Sequence, residues 1–214
     1  MDRSPSTTRE TYDRIAAHFA KTREYAWPEV ESFVEDTPTG GRGLDLGCGN
    51  CRHAELLATH CDSVVGLDLS RGLLETGRER ATDHGFAVDL VQGDASSLPL
   101  QDGSVDLAVY VATLHHLPTR EARRASLDEL ARVLSPDGLA LVSSWSTAHD
   151  SFDRDDPFDT EVDWTLPGGV TVPRFYHIYS PAEFDADLAA SDLRIHASEV
   201  SSGNCYATVA GPKQ

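Results

Sequence analysis

The chain has almost no lysine. Of 18 basic residues among 214, only Lys21 and Lys213 are lysines, and 35 acidic residues leave a formal net charge of -17. An acid-rich surface that uses arginine for nearly all its cations speaks to solvent rather than to partner. It fits a salty, halophilic cytoplasm, where the Debye length shrinks to about 3 Å at 1 M salt. Long apolar runs are missing too: no stretch approaches the roughly 18 to 20 residues of a membrane span, and no apolar signal-peptide core is visible. No membrane association and a cytoplasmic location are therefore expected. Cysteine is scarce: Cys48, Cys51, Cys61 and Cys205. Cys48 and Cys51 have C-x-x-C spacing, but no second pair follows and both lie in a glycine-rich loop, so no metal or redox role is assigned. Disorder is excluded by apolar runs that are periodic throughout.

What is present is a parallel-sheet rhythm. Gly43-Leu44-Asp45-Leu46-Gly47-Cys48-Gly49-Asn50 is followed at strand-repeat spacing by Val64-Val65-Gly66-Leu67-Asp68 and Val91-Gln92-Gly93-Asp94. Three apolar runs that each end in a carboxylate, separated by helix-length segments, describe the carboxyl edge of a parallel sheet, where open α/β folds bind ligands. The pattern predicts strands over 42–46, 63–68, 87–92, 105–111 and 138–144. Helices are expected over 51–59, 71–81 and 120–133, with Leu134-Ser135-Pro136-Asp137-Gly138 as a turn. Two helices precede the sheet, Thr11 to Arg23 and Pro28 to Glu35, the second started by its proline. Residues 146–172 break the rhythm with aspartates, prolines and glycines and read as a surface insertion that shapes a binding pocket. A helix from Ser180-Pro181 through Leu188 follows. Leu193–Val200 and Cys205–Val209 then form a hairpin across Ser201-Ser202-Gly203-Asn204, so the sheet should end with an antiparallel strand. The expected fold is a single α/β domain over 1–214: a doubly wound, seven-stranded, mostly parallel sheet with an antiparallel C-terminal hairpin strand. Its parts are a helical lid (1–40), a cofactor-binding core (42–145), the insertion (146–172) and the C-terminal helix and hairpin (173–214).

Gly47 and Gly49 let backbone pass close to a ligand and adopt positive φ. Asp68, at a strand tip, is placed to accept both hydroxyls of a ribose, and Asp94 with the amide of Ala95 to grip an adenine amine. A glycine-rich turn with an acid about 20 residues on also fits a dinucleotide fold. Three details separate the readings: Arg52 stands where the dinucleotide fingerprint needs its third glycine, Asp45 precedes the first glycine by two, and Asp94 closes the third strand. These motifs resemble class I S-adenosylmethionine-dependent methyltransferases. The resemblance implies S-adenosylmethionine as cofactor, bound by Asp45, Gly47, Cys48, Gly49, Asp68, Leu69, Gly93, Asp94, Ala95 and Val111. One departure is Cys51, where the family often has glycine.

Further segments carry the resemblance to nearly the whole chain except the insertion. Tyr12-Asp13-x-Ile15-Ala16-x-His18-Phe19 with Thr22-Arg23 and Trp27-Pro28, Leu114-His115-His116 with Thr119-Arg120-Glu121, and Arg174-Phe175-Tyr176-His177-x-Tyr179 resemble the tRNA wobble-uridine carboxymethyl methyltransferases. That family implies methylation of the carboxylate of a 5-carboxymethyl group on uridine 34 of tRNA. A carboxylate with a pKa near ~4 is already ionised, so the site needs orientation by cations more than a strong base. Arg23, His116, Arg174 and Tyr176 are the expected catalytic residues, with His116 preferred over His115. Arg120, Arg123 and Arg124 are as compatible with a solvated helix face as with an RNA contact. The resemblance also implies a heterodimer with a small zinc-binding activator protein that adds a strand beside Phe86 to Val91. A small-molecule O- or C-methyltransferase of the same fold is the alternative, and a non-catalytic cofactor-binding subunit a third reading.

Overall fold

The computed structural model describes residues 4–212. Helix α1 (Pro5–Ala20) begins six residues before the expected Thr11, because Ser4 caps it through its Oγ and Pro5 fits the first turn. It ends at Ala20, short of Arg23. Helix α2 (Pro28–Glu35) has the expected bounds. The core alternates as read: β1 (Arg42–Leu46), α3 (Arg52–Ala58), β2 (Ser63–Asp68), α4 (Arg71–His84), β3 (Asp89–Gln92), β4 (Val105–Tyr110), α5 (Arg120–Val133) and β5 (Leu134–Trp145). Helix α4 runs past the expected 81 to Gly85, whose left-handed φ of 72° stops it. The expected turn at Leu134 to Gly138 is instead taken into β5 as an irregularity. Val105 pairs with Leu134 and Leu107 with Leu139, so the turn residues bulge within a strand that continues the pairing on both sides.

The tail adds β6 (Phe158–Thr165), β7 (Thr171–Ile178), α6 (Pro181–Ala190), β8 (Leu193–Ser201) and β9 (Asn204–Pro212). Ten of the 27 residues of the expected 146–172 insertion are therefore ordered strand, β6 pairing antiparallel with β7 as a separate hairpin. Asp153, Asp155 and Asp156 do lie in irregular backbone, but the acids that follow do not. Asp159, Glu161 and Asp163 alternate with Phe158, Thr160, Val162 and Trp164, one set exposed and the other half-buried, which is the period-2 signature of a strand. The β8–β9 turn is tighter than the four residues expected: Ser201 pairs with Asn204, and Ser202 and Gly203 both have positive φ, the requirement of a two-residue hairpin turn.

Seven strands form the main sheet in the order β3-β2-β1-β4-β5-β9-β8. The first five run parallel. Strand β9 is antiparallel to β5, and β8 closes the edge outside it, so the antiparallel strand lies one place in from the edge. The order reverses between β1 and β4, the topological switch point where open sheets leave a crevice. Apolar clusters cover both faces, one centred on Leu44, Tyr110, Leu127 and Phe184 and one on Val30, Leu57, Val109 and Tyr206. A third, of Tyr12, Ile15, Ala16, Leu73 and Val172 with Phe19 and Trp164 against it, glues α1 and the β6–β7 hairpin above the crevice. Among the described residues no helix is long and apolar enough to cross a membrane.

Candidate active site

Two cavities meet at the switch point. The first, with an empty volume of about 870 Å³ partly open to solvent, lies over the tips of β1, β2 and β3, within the size range of cofactor pockets. Gly47 turns the chain at φ 75° and packs so closely that a Cβ there would collide with Thr113. The N–H groups of Gly47 and Cys48 donate to Leu67 O, and that of Gly49 donates to Asp68 Oδ2 at 2.9 Å. The N–H of Ser70 donates to Asp68 Oδ1 at 2.8 Å. Each oxygen of Asp68 thus holds one backbone donor and keeps capacity for another. Burial pushes this carboxyl up to about 6, against the lowering effect of the Ser70 and Gly49 amides. Asp94 accepts from the N–H and Oγ of Ser96 in a local turn. Leu69, Gly93, Asp94 and Ala95 line this cavity with Asp68. Asp13 accepts from Ser70 Oγ at 2.6 Å and Gly72 N at 2.8 Å, tying α1 down as the lid.

Asp45 does not reach the cavity, contrary to expectation. It is buried, accepts from Ala54 N at 2.9 Å and so anchors the first turn of α3 beneath the loop. Desolvation lifts its carboxyl to about 7. Cys51 occupies the left-handed region at φ 62°, which is why glycine suits that position; the cysteine is accommodated because its Sγ packs against the bare face of Gly77.

The second cavity, with about 1160 Å³ of empty space open on one side, shares a wall with the first through Tyr12, Phe19, Gly47, Ala112, Thr113 and His116. Cys48 and Val111 belong to this side and not to the cofactor side. Ala112, in that wall, is held at φ 54°, backbone strain of the kind that gathers at functional sites. Here three of the four expected catalytic residues line the cavity beside His116: Arg23, Arg174 and Tyr176. They come from the turn after α1 and from β7, Arg23 and Arg174 lying 151 positions apart. Arg174 Nη1 donates to Tyr176 Oη at 2.6 Å, while its Nε is buried without a protein partner.

His116 is pinned at both nitrogens. Phe175 O can only accept, so Nδ1, at 2.9 Å from it, carries the proton; Nε2 therefore accepts from Tyr12 Oη at 2.8 Å. Burial lowers this imidazole to about 4, leaving it neutral. His115 is held otherwise, its Nδ1 accepting from Trp145 N at 3.0 Å, with burial pushing it well below the ordinary value. Arg120 and Arg124 bind Asp187, and Arg123 donates to Tyr179 Oη. These cations belong to the fold between α5, α6 and β7.

Several lining residues were not assigned to the site from the sequence: Arg52, His53, Trp27, Trp145 and Asn204. The guanidinium of Arg52 stacks over Trp27 at 5.1 Å, and burial, then the neighbouring Arg23, lowers it to about 10. His53 is buried with Nε2 unpartnered, and burial holds it near 3. In a chain of net charge -17, this lining contains Arg23, Arg52 and Arg174 and no aspartate or glutamate.

The first cavity fits S-adenosylmethionine: acids stand at two successive strand tips, and the glycine turn has no room for a Cβ at Gly47. Comparison with known proteins agrees. A family model described as a methyltransferase domain matches residues 44–142. The tRNA (carboxymethyluridine(34)-5-O)-methyltransferase of Arabidopsis thaliana is 36% identical over 135 residues, which are 63% of this chain and 31% of that protein. Its Xenopus tropicalis counterpart is likewise 36% identical, with 20% of its length covered. The chain thus spans a third or less of these relatives. A protein of Encephalitozoon cuniculi assigned as a methyltransferase is 34% identical over 175 residues, 78% of each chain. Among solved structures, the methyltransferase in a complex with the Haloferax volcanii Trm112 methyltransferase activator superposes with a TM-score of 0.72 at 16% identity, covering 97% of this chain and 98% of the other. With the strand order, the glycine turn and the acids at the sheet's carboxyl edge, these matches establish that the chain belongs to the S-adenosylmethionine-dependent methyltransferase family.

Proposed function

We propose that this methyltransferase esterifies the carboxylate of a 5-carboxymethyl group on the wobble uridine of tRNA. The observation that carries the reading is the cationic, acid-free second cavity, which opens onto the cofactor cavity across the His116 wall. Three arginines gathered with no ion pair among the described residues, only Arg52 being eased by the buried Asp45, cost stability in an otherwise acidic protein, and an anionic substrate relieves that cost. S-adenosylmethionine supplies an electrophilic methyl group. Arg174 and Arg23 orient the substrate carboxylate by charge-assisted hydrogen bonds, and Tyr176 holds the Arg174 fork in place. His116, neutral and committed at both nitrogens, serves as a wall that aligns the two ligands and excludes water. It is not the base, and an ionised carboxylate needs none.

The partner in this reading is a small zinc-binding activator that adds a strand beside β3. That edge is shorter than the sequence suggested: Phe86 to Val88 lie outside the strand, and Phe86 and Val88 pack instead against an apolar cluster. Asp89–Gln92 remains the unpaired edge of the sheet, a site open to strand addition. The same reading places the heterodimer in a salt-rich cytoplasm, where counterion release contributes little to RNA affinity and local arginines and aromatic stacking contribute more.

The test is to co-express the chain with its activator, supply undermethylated tRNA and labelled cofactor, and identify the methylated nucleoside by mass spectrometry. Label is expected in a methyl ester of 5-carboxymethyluridine. Label confined to small metabolites would replace the reading with a small-molecule methyltransferase.

A further inference from the structure

Trp164 lies in β6, inside the segment that resemblance to the family left out, and its ring is shared by two of the cavity's three arginines. The guanidinium carbon of Arg174 sits 4.9 Å from the ring centroid, and that of Arg23 sits 5.8 Å from it. The edge of the indole is fixed: Nε1 donates to His18 Nδ1 at 3.0 Å, and the ring packs against His18 and Phe19 at 5.6 and 5.3 Å. Phe19 in turn stacks beneath Arg23, with 4.6 Å from the guanidinium carbon to the ring centroid. Two like charges are therefore brought to one cavity by a shared aromatic face, which attracts each guanidinium through its quadrupole and supplies no competing anion.

We propose that Trp164 is a positioning residue for the substrate anion. It sets the separation and direction of Arg23 and Arg174, and the β6–β7 hairpin is thereby part of the substrate site rather than a cover over it. An acid at this place would pair the arginines and fill the site with its own charge. An aliphatic residue would remove the one ring common to both guanidinium groups, leaving Arg174 on Tyr176 and Arg23 on Phe19 with nothing to set their separation. This inference rests on the carboxylate reading of the cavity, and its test separates the two.

The co-expressed complex is compared as wild type, Trp164→Leu, Trp164→Phe and Arg174→Met, measuring KM and kcat for undermethylated tRNA and the Kd for S-adenosylmethionine. Trp164→Leu is expected to raise KM about tenfold, as for loss of a desolvated cation–π contact. Cofactor Kd stays within about twofold, and Trp164→Phe, which keeps a π face, recovers most of the loss. In the Arg174→Met background, Trp164→Leu adds little, the coupling expected of residues acting as a unit. Should Trp164→Leu fail to fold, His18→Leu, which removes the acceptor of the indole N–H, is expected to raise KM about threefold with cofactor Kd unchanged. A KM unchanged in the Trp164 or His18 variants while Arg174→Met raises it overturns the positioning role and leaves the carboxylate reading standing. A KM unchanged in Arg174→Met as well overturns both.

Discussion

The two cavities are built from different materials. The cofactor cavity is made of backbone turns and carboxylates at successive strand tips, all within residues 47–122 apart from the residues of α1. The substrate cavity is made of arginines and aromatic rings carried by α1, the α3 loop, β5 and the β6–β7 hairpin. One reads a ligand through the geometry of a regular sheet; the other depends on elements distant in sequence meeting above it. A site of the first kind tolerates surface variation, whereas a site of the second kind is lost when one contributing element shifts.

Substitutions that fall on one side of the shared wall should therefore leave the other side intact. The largest effect is expected from Arg174→Met, which removes a buried cation from the second cavity. kcat/KM for tRNA should fall roughly 100-fold, as for a charge-assisted hydrogen bond of about 1.5 to 3 kcal/mol. Cofactor Kd measured by calorimetry should not move; a parallel loss of cofactor affinity would mean that the cavities are not separable. Asp68→Ala should do the converse, weakening cofactor binding roughly 10- to 100-fold by the same scale of interaction while the protein stays folded by circular dichroism.

The pH dependence sharpens the contrast. Burial raises the Asp68 carboxyl to about 6 in the folded protein, and hydroxyl donors favour its ionised form. Cofactor affinity should thus increase as pH rises through about 6 and level off above it; a flat profile in wild type, or an unchanged one in Asp68→Asn, would contradict the assigned contact. Folding responds with the opposite sign. Asp45 and Asp68 titrate near 7 and 6 in the native chain, above their unfolded values, so they disfavour the folded state increasingly as pH rises from about 4 toward 7. The smallest effect is expected from Tyr12→Phe. It removes the hydroxyl that donates to His116 Nε2 at about 0.5 to 1.5 kcal/mol and should lower turnover a few-fold, with both affinities nearly unchanged.

The same contrast explains how much could be read from the chain. Strands β1, β2 and β4 and helices α2 and α5 were legible because their apolar periodicity and start signals are local. The antiparallel position of β9 followed from a hairpin signal, although its place inside the edge strand did not. The β6 strand was missed because Asp153, Asp155, Asp156 and Pro157 before it and Pro167, Gly168 and Gly169 after it read as one loop, and the alternation of Phe158, Val162 and Trp164 with acids between them was not counted. Asp45 was assigned to the cofactor from its place two residues before Gly47, yet in a strand that offset points it to the helix beneath. His116 was expected among the catalytic residues, but its tautomer and neutrality depend on Tyr12 and Phe175. Those partners lie 104 and 59 positions away.

By itself the sequence determined the parallel sheet, its glycine turn and the acids at its carboxyl edge, and with them the family, because strand period, turn chemistry and helix starts are short-range properties of neighbouring residues. Only the tertiary structure decided that Arg23 and Arg174 share one acid-free cavity with Arg52, that both of the first two lie over the ring of Trp164, and that His116 is fixed rather than titrating. Those facts depend on which side chains meet across the crevice and on how much water burial removes from them, and neither is encoded in local pattern.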